Sequence, residues 1–286
     1  MTDFASGKGH RDENFPVASR LIAPRHRAVV LAFYRVARLA DDIADHPRAS
    51  AEDKLARLAA IERGLTGEDE AVPQAVALSR ALAQRGLSDR HILDLLTAFR
   101  RDAVKSRCAD WAELMDYCRY SAAPVGRFVL DVHGESRDLW PASDALCAAL
   151  QVINHMQDCG EDYRDLDRIY VPLDLMAAAG VPVEALGART ASPALRGVLD
   201  EVTTRAGALL AAAAPLAGET RDGRLALEIG VIHALAASLN HRLARRDPLS
   251  QRVHHGRIEM AGLALFGAGA ALAARLKARR SGRTEA

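Results

Sequence analysis

Aromatic residues are scarce in this chain, at 5% of 286 residues. With β-branched runs also short, nothing here asks for an extended sheet. The four cysteines, Cys108, Cys118, Cys147 and Cys159, form no C-x-x-C pair, which excludes a zinc ribbon and a disulfide framework. They read as small buried hydrophobes in a reducing compartment. Net charge is only +1, so a nucleic-acid partner has no electrostatic basis. No G-x-G-x-x-G follows a strand-like run, so a Rossmann dinucleotide site is not expected. Met1 to Asn14 is polar and lacks the apolar core of a signal peptide. The longest apolar run, Met260 to Ala274, is too short for a confident membrane span. The expected location is therefore cytoplasmic. The local exception in charge is Arg275-Leu-Lys-Ala-Arg-Arg-Ser-Gly-Arg283. This is either a solvated tail or a weak peripheral contact with anionic lipid at the inner membrane surface.

What the chain does have is alanine and leucine. Apolar residues make up 49%, enough to fill a sizeable core, and their spacing is helical almost throughout. Helices are expected over 24–45, 50–63, 72–85, 88–104, 110–133, 143–162, 193–216, 221–246 and 257–278. Start signals support several of them: Ser88 as an N-cap, Asp110 with Glu113 as a capping box, and Ser192 followed by Pro193. No repeat or linker divides the chain. The expected architecture is all-α, a single-domain helical bundle over 1–278 with a central cavity, followed by a basic, disordered tail over 279–286.

Two helices carry an unusual polar face. In the first, Val29, Phe33, Val36, Ala40 and Ile43 share one side, while Tyr34, Arg38, Asp41 and Asp45 share nearly the opposite one, with Asp42 beside them. In the second, Leu146, Ala149, Ile153 and Met156 oppose Gln151, Asn154, His155, Asp158 and Asp162. An ordinary solvated helix face is the default for such a stripe. Solvated faces, however, favour long side chains, and aspartate is a poor helix former. Each aspartate pair also falls in the expected last turns of its helix, where a carboxylate meets the negative end of the macrodipole and costs ~0.3–1 kcal/mol. A cation would offset that cost. Hard oxygen donors suit Mg²⁺, which keeps several waters and takes phosphate oxygens. Two facing pairs could hold Mg²⁺ ions with a diphosphate between them and assist its departure.

At these segments the chain resembles the squalene/phytoene synthase family, the head-to-head prenyl synthases. Asp41 and Asp45, with Tyr34 and Arg38 before them, match the first D-x-x-x-D motif. Gln151, Asn154, Asp158, Asp162 and Arg168-Ile169-Tyr170 match the second motif and its flanks. Tyr117-Cys-Arg-Tyr-Ser-Ala-Ala-Pro-Val-Gly126 resembles the family's helix that breaks to expose the reaction cavity. Asn14-Phe-Pro-Val-Ala-Ser19, the Tyr120 to Arg127 stretch and Asn154 to Arg164 are similar to its hydroxysqualene synthase branch. Gln157, where many relatives carry arginine, agrees with that branch, as do Pro124 and Arg127.

The resemblance implies an isoprenoid-synthase bundle and a lyase acting on presqualene diphosphate with Mg²⁺. It assigns metal binding to Asp41, Asp42, Asp45, Asp158 and Asp162, and substrate binding to Arg38, Gln151, Arg168 and Tyr170. Tyr34, Tyr120 and Asn154 take catalytic roles, and the loop holding Arg168 and Tyr170 becomes a lid over the diphosphate. The alternatives are condensation of two farnesyl diphosphates, reductive squalene synthesis with NADPH, and a non-catalytic helical adaptor. Gln157 is expected either to border the diphosphate site or to lie on the surface at the helix edge.

Overall fold

A computed structural model describes residues 23–284 of the chain. The helices are α1 (Pro24–Ala44), α2 (Ala51–Thr66), α3 (Pro73–Ala83), α4 (Arg90–Asp102), α5 (Trp111–Ser121), α6 (Ala123–His133), α7 (Trp140–Leu166), α8 (Leu173–Ala178), α9 (Pro193–Ala213), α10 (Leu216–Glu219), α11 (Gly223–Leu243) and α12 (Arg257–Thr284). Among the described residues no strand forms, and one isolated parallel bridge joins Arg107 to Ile169.

The caps explain several of these boundaries. Asp110 accepts from the Glu113 amide at 2.8 Å, and Glu113 reaches back to the amide of Ala109 at 2.7 Å, one residue before the usual capping-box partner. Ser192 accepts from the Leu195 amide at 3.2 Å and Pro193 follows it. Ser88 is not the cap of α4. Asp89 takes that position, and the Ser88 hydroxyl accepts from the Arg90 amide. The expected helix over 110–133 is two helices, because the chain breaks at Ala122 (φ −125°, ψ −49°) and Pro124 brings no amide hydrogen. The break expected from the resemblance is therefore present. α7 is longer than expected at both ends, and α12 runs beyond 278 to Thr284, so most of the basic tail continues the helix.

Two apolar cores form. One joins α1 to α4 and receives Phe128 and Val132 from α6; the other is built on α7, α9 and α11. Between them lies a cavity of about 260 Å³, walled by Val30, Phe33 and Phe128 from the first core and Leu146, Leu216, Leu225 and Ile229 from the second. Phe33 and Phe128 stack on its wall with centroids 4.0 Å apart, a contact worth ~1 kcal/mol beyond the area it buries. Gly126 lets α6 approach α7 closely, since a Cβ there would collide with Ser143 and Cys147. The cysteines are structural: burial pushes the Cys108 thiol up to about 11 and those of Cys118, Cys147 and Cys159 to about 12.

Candidate active site

The cavity and the acidic residues share helix faces. On α1, Val30, Tyr34 and Ala37 line the cavity, and the same stripe continues one turn at a time to Asp41 and Asp45. On α7, Ser143, Leu146, Cys147 and Leu150 line it, and their stripe continues to Asn154, Asp158 and Asp162. Each helix thus passes from an apolar wall to a polar rim as it runs toward its C-terminus. The two rims meet at the same end of the bundle, because Arg168, just past α7, binds Asp45, the C-cap of α1, at 2.7 Å.

These faces are only partly solvated, with Asp41 and Asp45 open to 37% and 38% side-chain exposure. Side-chain exposure is 11% at Asp42, 19% at Asp162 and 20% at Arg38. Arg38 joins its own helix, meeting Asp41 at 3.0 Å and Asp42 at 2.9 Å. Arg168 also donates to the Asp102 carbonyl at 3.3 Å, at the C-terminal end of α4. Asp102 is a third carboxylate at this pole. Its two oxygens accept from Tyr117 at 2.7 Å and Tyr170 at 3.1 Å. Burial pushes the Asp102 carboxyl up, against the pull of Arg168 and the Tyr117 hydroxyl. Burial likewise raises both phenols, and the facing carboxylate adds to it. His155 stacks on Tyr170 with centroids 3.5 Å apart, and its Nε2 lies 3.0 Å from Gln151 Nε2. Lys54 completes the pole; burial lowers its ammonium pKa and Arg168 adds to the effect, while Asp45 and Asp102 oppose it.

The segment holding Arg168 and Tyr170 is fixed to the protein body. Ile169 exchanges backbone hydrogen bonds with the 106–108 strip, donating to Ser106 at 2.8 Å and accepting from Cys108 at 3.0 Å. Asp167 turns the chain there with φ 48°, and Arg107 binds its side chain at 2.6 Å. The segment expected to cover the diphosphate is thus a clamp anchored through its backbone.

The carboxylates of the two rims are not gathered on one bare ion. Among the described residues, the single group of three ligand atoms lying within 4.8 Å of one another is His26, His133 and Asp222, near the other end of α1. Arg25 and Arg85 approach the two nitrogens of His26 at 2.9 and 3.2 Å, so that cluster repels a cation. At the rim, carboxylates shared between two helices suit Mg²⁺, which binds through few carboxylates, waters and phosphate oxygens.

An apolar chamber closed at one end by carboxylates and arginines narrows the relatives to be considered. The family described as squalene/phytoene synthase matches residues 9–259. The chain belongs to the squalene/phytoene synthase family. Among its relatives, the hydroxysqualene synthase of Rhodopseudomonas palustris is 55% identical over 93% of this chain and 91% of its own. That of Zymomonas mobilis is 52% identical over 92% and 89%. The crystal structure of a squalene synthase from Alicyclobacillus acidocaldarius is 33% identical, with a TM-score of 0.71 over 80% of this chain and 87% of that one. A dehydrosqualene synthase at 21% identity superposes with a TM-score of 0.73 over 89% of this chain and 90% of its own, a likeness of fold alone.

The fold brings together most of the residues picked from sequence. Tyr34 lines the cavity; Arg38, Asp41, Asp42, Asp45, Gln151, Asn154, Asp158, Asp162, Arg168 and Tyr170 gather on the rim faces and the clamp. Tyr120 is not on the cavity wall, and its ring lies 5.7 Å from the Arg119 guanidinium. Gln157 is neither at the diphosphate rim nor on the surface. It is 9% exposed and donates to the Val253 carbonyl, with His254 Nδ1 at 3.0 Å, tying α7 to the connection before α12. Arg127 is a brace, paired through Nε with Asp144 at 2.8 Å and 4.7 Å from the Trp140 ring. Asn14–Ser19 lies outside the described residues. Sequence reasoning missed Asp102, although an aspartate ending α4 is the signal that marked the first acidic pair. It placed His155 on the polar stripe and Tyr117 at the start of the breaking-helix motif but gave neither a role, because single aromatic and histidine residues rarely stand out from core.

Proposed function

We propose that this enzyme converts presqualene diphosphate and water into hydroxysqualene and diphosphate. The observation that carries the reading is the continuity of each stripe from apolar wall to acidic rim. It gives one chamber for two hydrocarbon tails and one pole for a diphosphate. The 55% identity to a hydroxysqualene synthase over nearly the whole chain supports the choice of this reaction within the family.

The chemistry balances without a reductant. The C–O bond to diphosphate breaks with its electron pair leaving on the diphosphate. The cyclopropylcarbinyl cation rearranges, water adds to it, and one proton departs. Asp41, Asp45, Asp158 and Asp162 would hold Mg²⁺, with Asp42 supporting them, and the metal supplies charge neutralisation on the leaving group. Arg38 and Arg168 would exchange their carboxylate partners for diphosphate oxygens, which arginine's fork suits and a glutamine amide does not. Tyr170 and Gln151 bound that pocket. Tyr34 turns its ring toward the cavity, where a π-face stabilises a passing cation. Asn154 orients a polar group at the boundary between wall and rim. The cellular place, on this reading, is the cytoplasm, with a peripheral contact at the inner membrane surface.

Purified protein incubated with presqualene diphosphate and Mg²⁺ should give the alcohol and diphosphate, and EDTA should stop the reaction. Turnover of farnesyl diphosphate alone, with none of presqualene diphosphate, would assign the enzyme to the condensing step instead.

A further inference from the structure

The most apolar exposed surface of the described chain is on α12. Ile258 is 92% exposed, Leu265 78%, Phe266 70%, Leu272 52% and Leu276 59%. At 100° per residue, Ile258, Leu265, Leu272 and Leu276 fall within a stripe ~40° wide. Directly opposite lie Gly267, Ala271 and Ala274, which face α11 and α10. The seam is tight: a Cβ on either Gly230 or Gly267 would collide with the other residue's backbone. One face of α12 is therefore committed to the protein body, and the other carries a row of large aliphatic side chains into solvent.

By length and composition Arg257–Ala278 could cross a membrane, with a mean hydropathy of 1.3 over its most apolar stretch and 11% of that stretch buried. Crossing would strip the helix from the Gly230 seam and leave that close-packed face against lipid. Lying in the interface keeps the seam and buries only the stripe. Charge identifies the occupant. Residues 260–284 include no acidic side chain, and Lys277, Arg279, Arg280 and Arg283 fall at the C-terminal end, after Arg275, whose guanidinium binds the Thr220 and Arg221 carbonyls. The one carboxylate of a second α12, Glu259, is already paired with Arg242, so a second copy offers those cations little, whereas anionic headgroups would meet them. Beside the stripe, an apolar groove of about 530 Å³ takes in Phe266 and Leu263 and reaches Ile229, which also lines the reaction cavity. A protein seated on α12 thus places a wall of its cavity next to lipid.

We propose that α12 is a peripheral docking helix that lays its Ile258–Leu276 stripe into the headgroup–acyl boundary of an anionic bilayer. This deepens the membrane contact named above, and its test reads binding with no substrate present, so its failure leaves the reaction assignment standing. The full chain should float with vesicles of phosphatidylglycerol and phosphatidylcholine in about equal parts, and poorly with phosphatidylcholine alone. L265E/L272E should weaken that binding by about tenfold or more while helicity and elution volume stay unchanged. Independently of that variant, F266W should shift its emission to the blue on anionic vesicles and be quenched by brominated acyl chains. Equal flotation of L265E/L272E, an unmoved F266W emission, or a concentration-dependent dimer abolished by L265E/L272E would each overturn the proposal.

Discussion

The two acidic helices solve the same electrostatic problem differently. α1 brings its own cation: Arg38 meets Asp41 and Asp42, and Arg168 reaches across to Asp45. α7 has no arginine on its polar face. The polar residues it places beside Asp158 and Asp162 are amides and an imidazole, with His155 Nδ1 3.9 Å from Asp162. The α1 rim is therefore partly neutralised before any ligand arrives, and its guanidinium groups can exchange carboxylate for diphosphate oxygens. On α7 no arginine of the helix shares that face, so less of the rim's neutralisation comes from its own helix.

That difference sets the size of each expected effect. Asp158→Asn and Asp162→Asn should lower kcat/KM about 10³-fold, and Asp41→Asn and Asp45→Asn about 10²-fold, with helicity unchanged. Titrating Mg²⁺ for each variant checks it; near-normal activity in any two would remove the metal cradle. Equal losses on both helices would erase the distinction between them.

The next effect concerns stability. Arg168 is 8% exposed at its side chain and faces Asp45 and the Asp102 carbonyl. Arg168→Met should cost about 2–4 kcal/mol in urea unfolding, toward the lower end because Asp45 is 38% exposed. Arg38→Met, whose partners lie on its own helix, should cost less than ~1 kcal/mol while still reducing kcat/KM.

Much of this was legible in the sequence because the signals are local. Periodicity gave the long helices, and Ser192-Pro193 and Asp110 marked their starts. The acidic pairs were visible because their types and spacing repeat. Gln157 was not legible. Its angular position on α7 is a fact of the sequence, but its partners lie at 253–254, and only tertiary packing brings them there. The rigid clamp was hidden for the same reason, since its hydrogen bonds join segments about sixty residues apart, Ser106 with Ile169.

The corrected role of Gln157 changes its expected phenotype. Gln157→Arg should lower stability by about 1–3 kcal/mol by breaking the tie to Val253 and placing a charge where the site is buried. A large fall in kcat with unchanged urea stability would return Gln157 to the diphosphate rim.

The smallest effect lies away from both rims. Burial lowers the His26 pKa to about 4, with the neighbouring His133, Arg25 and Arg85 adding to it. The unfolded chain therefore binds a proton that the folded chain does not between pH 6.5 and about 4. Stability contributed at His26 is present above pH 6.5 and is lost as pH falls toward about 4. His26→Gln should flatten the pH dependence of the unfolding midpoint across that window.

Ionisation followed by water capture is most directly tested by the origin of the product oxygen. In H₂¹⁸O, with presqualene diphosphate and Mg²⁺, the alcohol should carry the heavy isotope and the released diphosphate should not. Unlabelled alcohol with labelled diphosphate would mean attack at phosphorus and would contradict a carbocation formed between the two acidic rims.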